Sequence, residues 1–384
     1  MAEKVQLVRN ESGTEYVQHP ETEVAQVEGF EEGVQDALNN MNSAQETIVL
    51  TDDYSYRPSL FSVGSDKVSV IMPKGLRVVV NGRFYQVTAD TNVPIPSTIS
   101  AANRAGKDLY IYACENSDVN STTPVFVISM DSTYPSGYGT ATSRKIGGFH
   151  CLCSSVGTVA NHPLSGYVTG NILPASRWDL IHRPQANPEG MVYDENLGIW
   201  VDIYVASVSG TTLQSLFGGV IADEASTVKF HFYKFVQWFA RTKKRLPRQY
   251  EFMHFALGSP ESVSIKNGTD PNTTGAHTSS SDQRIISNIG CEDCCGVIEH
   301  YSLDRNGGGT GSGSTTGTSW ANAYNDSDDG AYGQHYAAPY ILMVGGHWNH
   351  GTKSGTRHTE CGTVAPLTMT AGPAARGVSE PMSA

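Results

Sequence analysis

Apolar and polar side chains alternate with a period of two over residues 46–150, and the chain turns to a mixed pattern from about residue 165. The clearest alternation runs through Leu76–Val80 and Arg83–Val87, on either side of Asn81-Gly82. This predicts a β-hairpin, because a tight type I′ turn needs two residues at positive φ and Asn-Gly supplies them. Lys67–Met72, Leu109–Cys114 and Pro124–Met130 read as further strands. Residues 46–160 are therefore expected to form an all-β domain of sandwich or prism type. Before it, residues 1–45 are polar and carry one helical stripe, with Val34, Ala37, Leu38 and Met41 at i, i+3, i+4 and i+7. So short a stripe does not hold a helix by itself. It is expected to pack on a neighbouring domain, on a sister subunit, or on a partner to which it attaches the chain.

Further on, Phe232, Phe235, Val236 and Phe239 make a second helical stripe. That helix is expected to run to the basic cluster Arg241–Arg245, where cations suit the negative end of the helix dipole. Leu246-Pro247 restarts a helix, since proline is tolerated in a first turn. Phe252, Phe255 and Ala256 form its buried face and Gly258 ends it. Ser262–Ser281 and Gly307–Thr318 are too rich in Gly, Ser and Thr to pack a core. They are expected to be exposed, as linkers or as loops beside a binding face. The fold class expected is α+β: a short N-terminal helical attachment segment (1–45), a β-rich domain (46–160) and a mixed domain (161–384).

Composition narrows the function. Hydrophobic residues make up 39% and charged residues only 17%, with 39 glycines, a mixture suited to strands and loops. A formal charge of −12 argues against a nucleic-acid partner, because phosphate binding needs clustered Lys and Arg. No stretch reaches the ~18 apolar residues of a membrane span, and the N-terminus has no apolar signal region. Membrane insertion is not expected, and synthesis in a cytoplasm is. Seven cysteines are then expected to be free thiols.

Enzyme signatures are lacking: there is no phosphate-cradling GxxxxGK[ST], no HExxH and no GxSxG. Cys151-Leu-Cys153 and Cys291-Glu-Asp-Cys294-Cys295 fit no standard zinc module. His335, His347, His350 and His358 cluster in sequence, but His347 and His350 lie in an expected loop, where that spacing does not make them face one another. No metal or other cofactor is expected there. Asp326, Asp328 and Asp329 are a candidate structural calcium loop, against which a solvated acidic turn is the preferred reading.

A family resemblance enters through several segments. Arg245–Ala256 resembles the helix motif of C-type-lectin folds of the formylglycine-generating-enzyme type. Gly345–Gly351, Ser354–Arg357 and Gly372–Gly377 are similar to that fold's closing segment. Ser143–His150, Ile172–Asp179, Gly190–Tyr193, Gly198–Tyr204 and Ile285–Cys295 resemble more narrowly the variable proteins of diversity-generating retroelements, of the phage major-tropism-determinant type. The resemblance covers roughly residues 140–384.

The resemblance implies a C-type-lectin-like domain at 161–384 and a non-enzymatic receptor-binding protein at a tail-fibre tip. It implies a homotrimer in the virion, assembled in the host cytoplasm. One end would meet a host-surface receptor (protein or glycan), and the N-terminal segment would meet other tail or baseplate proteins. In such proteins the closing segment, here near 340–380, is rewritten at adenine positions. Trp348, Arg357, Arg376, Gly345, Gly346, Gly351 and Gly355 would be its scaffold. His347, Asn349, His350, Thr352, Lys353, Thr356, His358, Thr359, Glu360, Gly362, Thr363, Leu367, Met369 and Thr370 would be its ligand-binding positions. These follow no helical or strand period, as expected of exposed loop or short-strand positions chosen for contact. Alternatives are a prophage- or bacterium-encoded variable binding protein outside a virion, and a formylglycine-generating-type oxidase. The oxidase uses two thiolates in the closing segment to hold a soft metal. Residues 347–355 contain no cysteine and Cys361 is single, so the oxidase is disfavoured.

Overall fold

The computed structural model describes residues 60–223, 230–304, 341–361 and 373–382 in full, and the backbone of 6–9, 15–18, 305–306, 320–322, 334–336 and 340. The expected Val34–Met41 helix, the Gly307–Thr318 loop and the Asp326–Asp329 turn lie outside these residues. Within them the chain is mostly β with few helices.

Strands β1 (Gln6–Arg9) and β2 (Glu15–Gln18) pair antiparallel. After β3 (Ser62–Val63) and β4 (Ser69–Met72), β5 (Arg77–Val80) and β6 (Arg83–Gln86) form the expected hairpin. Asn81 and Gly82 take φ of 51° and 70°, and Val78, Val80 and Tyr85 are fully buried by the alternation. β7 (Thr91–Pro94) returns to pair with β4. A four-residue helix α1 (Ala101–Arg104), capped by the Ser100 hydroxyl, leads into β8 (Asp108–Cys114), β9 (Val125–Ser129), β10 (Ser143–His150) and β11 (Trp178–Asp179). These last four make a sheet in the order β11-β10-β8-β9. Val70, Val78, Leu109, Ile111, Ile146 and Phe149 share one core beneath it.

The remainder is mixed. β12 (Met191–Asp194), β13 (Ile199–Asp202), β14 (Ala206–Ser209) and β15 (Thr212–Ser215) precede α2 (Phe232–Arg241) and α3 (Gln249–Phe255). Then follow β16 (Glu299–Asn306), β17 (Trp320–Asn322), β18 (Gln334–Tyr336), β19 (Tyr340–Gly345), β20 (Gly355–Glu360), β21 (Pro373–Ala374) and β22 (Val378–Ser379). One sheet runs β20-β19-β16-β21 and another β12-β13-β22, so the last strands close two sheets at once. Among the described residues no helix is long and apolar enough to cross a membrane.

α2 runs to Arg241, the first residue of the basic cluster, which puts that cation in its last turn as expected, and Lys243 beyond its end adopts a φ of 58°. The cations beyond it meet carboxylates, not the helix end. Lys244 donates to buried Asp202 at 2.6 Å, and Arg245 grips both oxygens of Glu251 at 2.7 Å. α3 then begins after Pro247 and Arg248, with Glu251 accepting from the Arg248 amide at 2.7 Å, and buries Phe252 and Phe255 as its pattern predicts. The Ser262–Ser281 stretch is not simply exposed: Ser264, Thr274 and Ser279 are buried, each hydrogen-bonded. Small polar residues pack where backbone groups need partners.

Candidate functional site

The closing segment starts where β19 ends. Gly345 and Gly346 take φ of 90° and 79°, and a Cβ on Gly345 would overlap the Cys294 carbonyl. Only glycine makes this turn without strain. The loop that follows is held through its backbone. The Ser264 hydroxyl donates to the His347 carbonyl at 3.0 Å and accepts from the Gly351 amide at 2.9 Å. Glu261 accepts from the Thr356 amide at 3.1 and 3.2 Å. Trp348, half-buried, packs on Val205, Ile221, Ile298 and Ala374.

Beneath the loop, Arg376 is wholly buried and ties distant strands together. Its guanidinium donates to the carbonyls of Asp202 (2.6 Å) and Ile203 (2.5 Å) and to that of Glu292. Its scaffold role is therefore a matter of geometry. Arg357, expected to share it, is exposed.

The histidines of the segment do converge. The rings of His347 and His350 stack with centroids 3.6 Å apart, and His350 and His358 lie 4.9 Å apart. This overturns the expectation that His347 and His350 need not face one another. The turn between them is tight enough for the His350 amide to reach the His347 carbonyl at 3.0 Å. His358 Nε2 meets Glu299 Oε1 at 3.2 Å, and its Nδ1 donates to the Lys353 carbonyl at 2.9 Å. Burial pushes the Glu299 carboxyl above the usual range. The Glu299 hydrogen bond holds His358 above the ordinary imidazole value. Burial pushes His347 down to about 4.

Asn349, Thr352, Lys353 and Thr359 are exposed, and His347, His350, His358 and Glu360 are half-buried. Thr356 is only 6% exposed, which withdraws its side chain from the surface and corrects its expected place on the binding face. Of the two alternatives, loop or short strand, residues 355–360 take the strand, β20, where Arg357 and Thr359 point outward and His358 and Glu360 inward. Polar residues on both faces hid the alternation. Gly362, Thr363, Leu367, Met369 and Thr370 lie outside the described residues. Sequence reasoning missed Glu261, Ser264 and Glu299, which carry no motif and reach the segment only through the fold. Cys361 is exposed while the other six cysteines are buried and free.

A mostly β chain whose closing strands bridge two sheets and present a backbone-held loop is of the C-type-lectin-like kind used for ligand display. A family model described as the Mtd second domain matches residues 62–179. The chain is 31% identical over 305 residues to the tail fiber receptor-binding protein of Bordetella phage BPP-1, covering 74% of this chain and 72% of that one. The solved P3c variant of the Major Tropism Determinant superposes with a TM-score of 0.71 at 28% identity, over 88% of this chain and 87% of that one. The M1 variant does so with a TM-score of 0.71 at 27% identity, with the same coverage. The chain belongs to the major tropism determinant family.

Proposed function

We propose that this chain is a tropism determinant: the receptor-binding protein of a phage tail fibre, engaging a host-surface protein or glycan through the segment at 340–380. The observation that carries this reading is how the segment is held. Ser264 and Glu261, both outside the segment, hold its loop through the His347 carbonyl and the Gly351 and Thr356 amides. Asn349, Thr352, Lys353 and Thr359 project to solvent from that support. These four exposed side chains can change without disturbing those bonds, which is what a retroelement-rewritten site requires. Gly362, Thr363, Leu367, Met369 and Thr370 belong to the same reading.

The protein works as a binder, not a catalyst, and resides in the virion. Residues 1–45 attach it to other tail or baseplate proteins, 46–160 form the β-rich spacer, and 161–384 carry the lectin-like display. A homotrimer, repeated on each particle, raises effective affinity from a shallow single site by avidity. Sequencing the gene region for residues 340–380 in a propagated population tests the reading. Changes at codons such as those of Asn349 and Thr352, with Trp348 and Arg376 fixed, are expected. A uniform segment leaves an adhesin of fixed specificity and removes diversification. Purified protein that fails to bind any host the particle infects removes the receptor-binding role.

A further inference from the structure

We propose that Glu299, His350, His358 and Glu360 form a site for one divalent first-row transition ion of the Zn²⁺ class. One ligand atom from each lies within 4.8 Å of the others, and among the described residues this is the group that so converges. Around a tetrahedral zinc with bonds of about 2.0–2.2 Å, ligand atoms sit about 3.4 Å apart, so small side-chain rotations close the set. The elements bring the ligands from three directions. Glu299 begins β16, His358 and Glu360 come from the inward face of β20, on the far side of β19 in the same sheet, and His350 from the loop between β19 and β20.

Three features favour an ion over a plain cluster of polar residues. His358 gives its Nδ1 hydrogen to the Lys353 carbonyl at 2.9 Å, which turns Nε2 inward toward Glu299. That is the outer-sphere bond by which proteins fix the tautomer of a metal-bound imidazole. His350 lies 3.5 Å from Glu299 and 3.8 Å from Glu360, too far for hydrogen bonds. Only His358 and Glu299 are within hydrogen-bond distance of each other, so His350 is gathered beside the two carboxylates without a close bond to either. Finally, Glu299 is 4% exposed and shares the group with a second carboxylate, Glu360, a pairing that a dication would bridge. Two imidazoles with two carboxylates suit Zn²⁺, Co²⁺ or Ni²⁺ better than Ca²⁺ or Mg²⁺, which prefer all-oxygen sites.

The site stands on this geometry and not on the receptor-binding reading. Its consequence is mechanical: the ion fastens the loop bearing Asn349, Thr352 and Lys353 to β16. The test uses the full chain, stripped with chelator and dialysed, then titrated with ZnCl₂ by calorimetry and with Co²⁺ by visible absorption. One ion per chain is expected, with cobalt ligand-field bands that Zn²⁺ displaces and a melting temperature that rises with Zn²⁺. His358→Ala, Glu299→Gln and Glu360→Gln should each weaken binding at least ~10-fold, while His254→Gln on α3, paired with Asp194, leaves it unchanged. Circular dichroism reports whether each variant folds. If Glu299→Gln does not, His358→Ala and the more exposed Glu360→Gln decide the matter. Absence of stoichiometric uptake, or uptake unchanged in the folded His358→Ala and Glu360→Gln variants, overturns the proposal.

Discussion

Arg376 shows how much one side chain carries. Its planar fork satisfies three carbonyls from two separate stretches, Asp202–Ile203 and Glu292, while itself wholly buried. Lysine keeps the charge but not the fork. Arg376→Lys should therefore leave at least one carbonyl unpaired, at about 1–3 kcal/mol each, and strain the rest. A loss of about 3 kcal/mol in urea unfolding at constant m-value is expected. Arg357→Lys, on the exposed face of β20, should stay within about 0.5 kcal/mol of the parent. An equal effect of the two substitutions would mean that the buried fork is not what matters. The sequence motif places both arginines alike, and burial alone separates them.

Elements differ in how far local signals determine them. The β5–β6 hairpin is legible because its turn residues and its alternation are neighbours in sequence. The end of α2 is legible in Arg241, which sits in its last turn, but Asp202 and Glu251 as partners of Lys244 and Arg245 are not. β20 escaped notice for a related reason: its inward residues are His and Glu rather than apolar. The alternation still sets what substitution does. Thr359→Tyr, pointing outward, should leave the thermal midpoint nearly unchanged. Thr356→Tyr, pointing into a packed interior, should cost about 1–3 kcal/mol by overpacking. Gly345→Ala should be at least as damaging, since it adds a Cβ against the Cys294 carbonyl at positive φ. Scanning calorimetry on the three variants checks the order, and a destabilised Thr359→Tyr would contradict the orientation of the strand.

At the scale of the whole molecule, titration couples the core to pH. Burial pushes His300 down to about 3 and His182 down to about 4. The unfolded chain, with imidazoles near ~6.5, then binds more protons than the folded one below that pH. Their contribution is complete above pH ~6.5 and is lost as pH falls toward those depressed values. His277 has the opposite sign: burial lowers it, but Asp293 at 2.9 Å outweighs burial and raises it. Its contribution is complete below ~6.5 and lost as pH rises through its folded value. With His182, His300 and His347 strongly depressed against His277 and His358 raised, stability to unfolding should fall from pH 7 to pH 4. Denaturant titrations across that range check this, and a flat profile would show that burial does not govern these groups. Light scattering should give the mass of three chains, and isolated trimers should hold host cells less tightly than whole particles. Equal tightness would remove avidity from the reading.

The sequence by itself determined what is local: the hairpin, the buried faces of α2 and α3, the glycine turn after β19, and the absence of the cysteine pair an oxidase needs. Those depend on dihedral preferences and on spacings within a few residues, which a linear chain displays. The tertiary structure alone decided which polar residues meet. Ser264 and Glu261 hold the closing loop, Arg376 bonds carbonyls far along the chain, and Glu299 faces His350 and His358. Contacts between residues so far apart in sequence follow from how strands are ordered in a sheet, and no periodicity records that order.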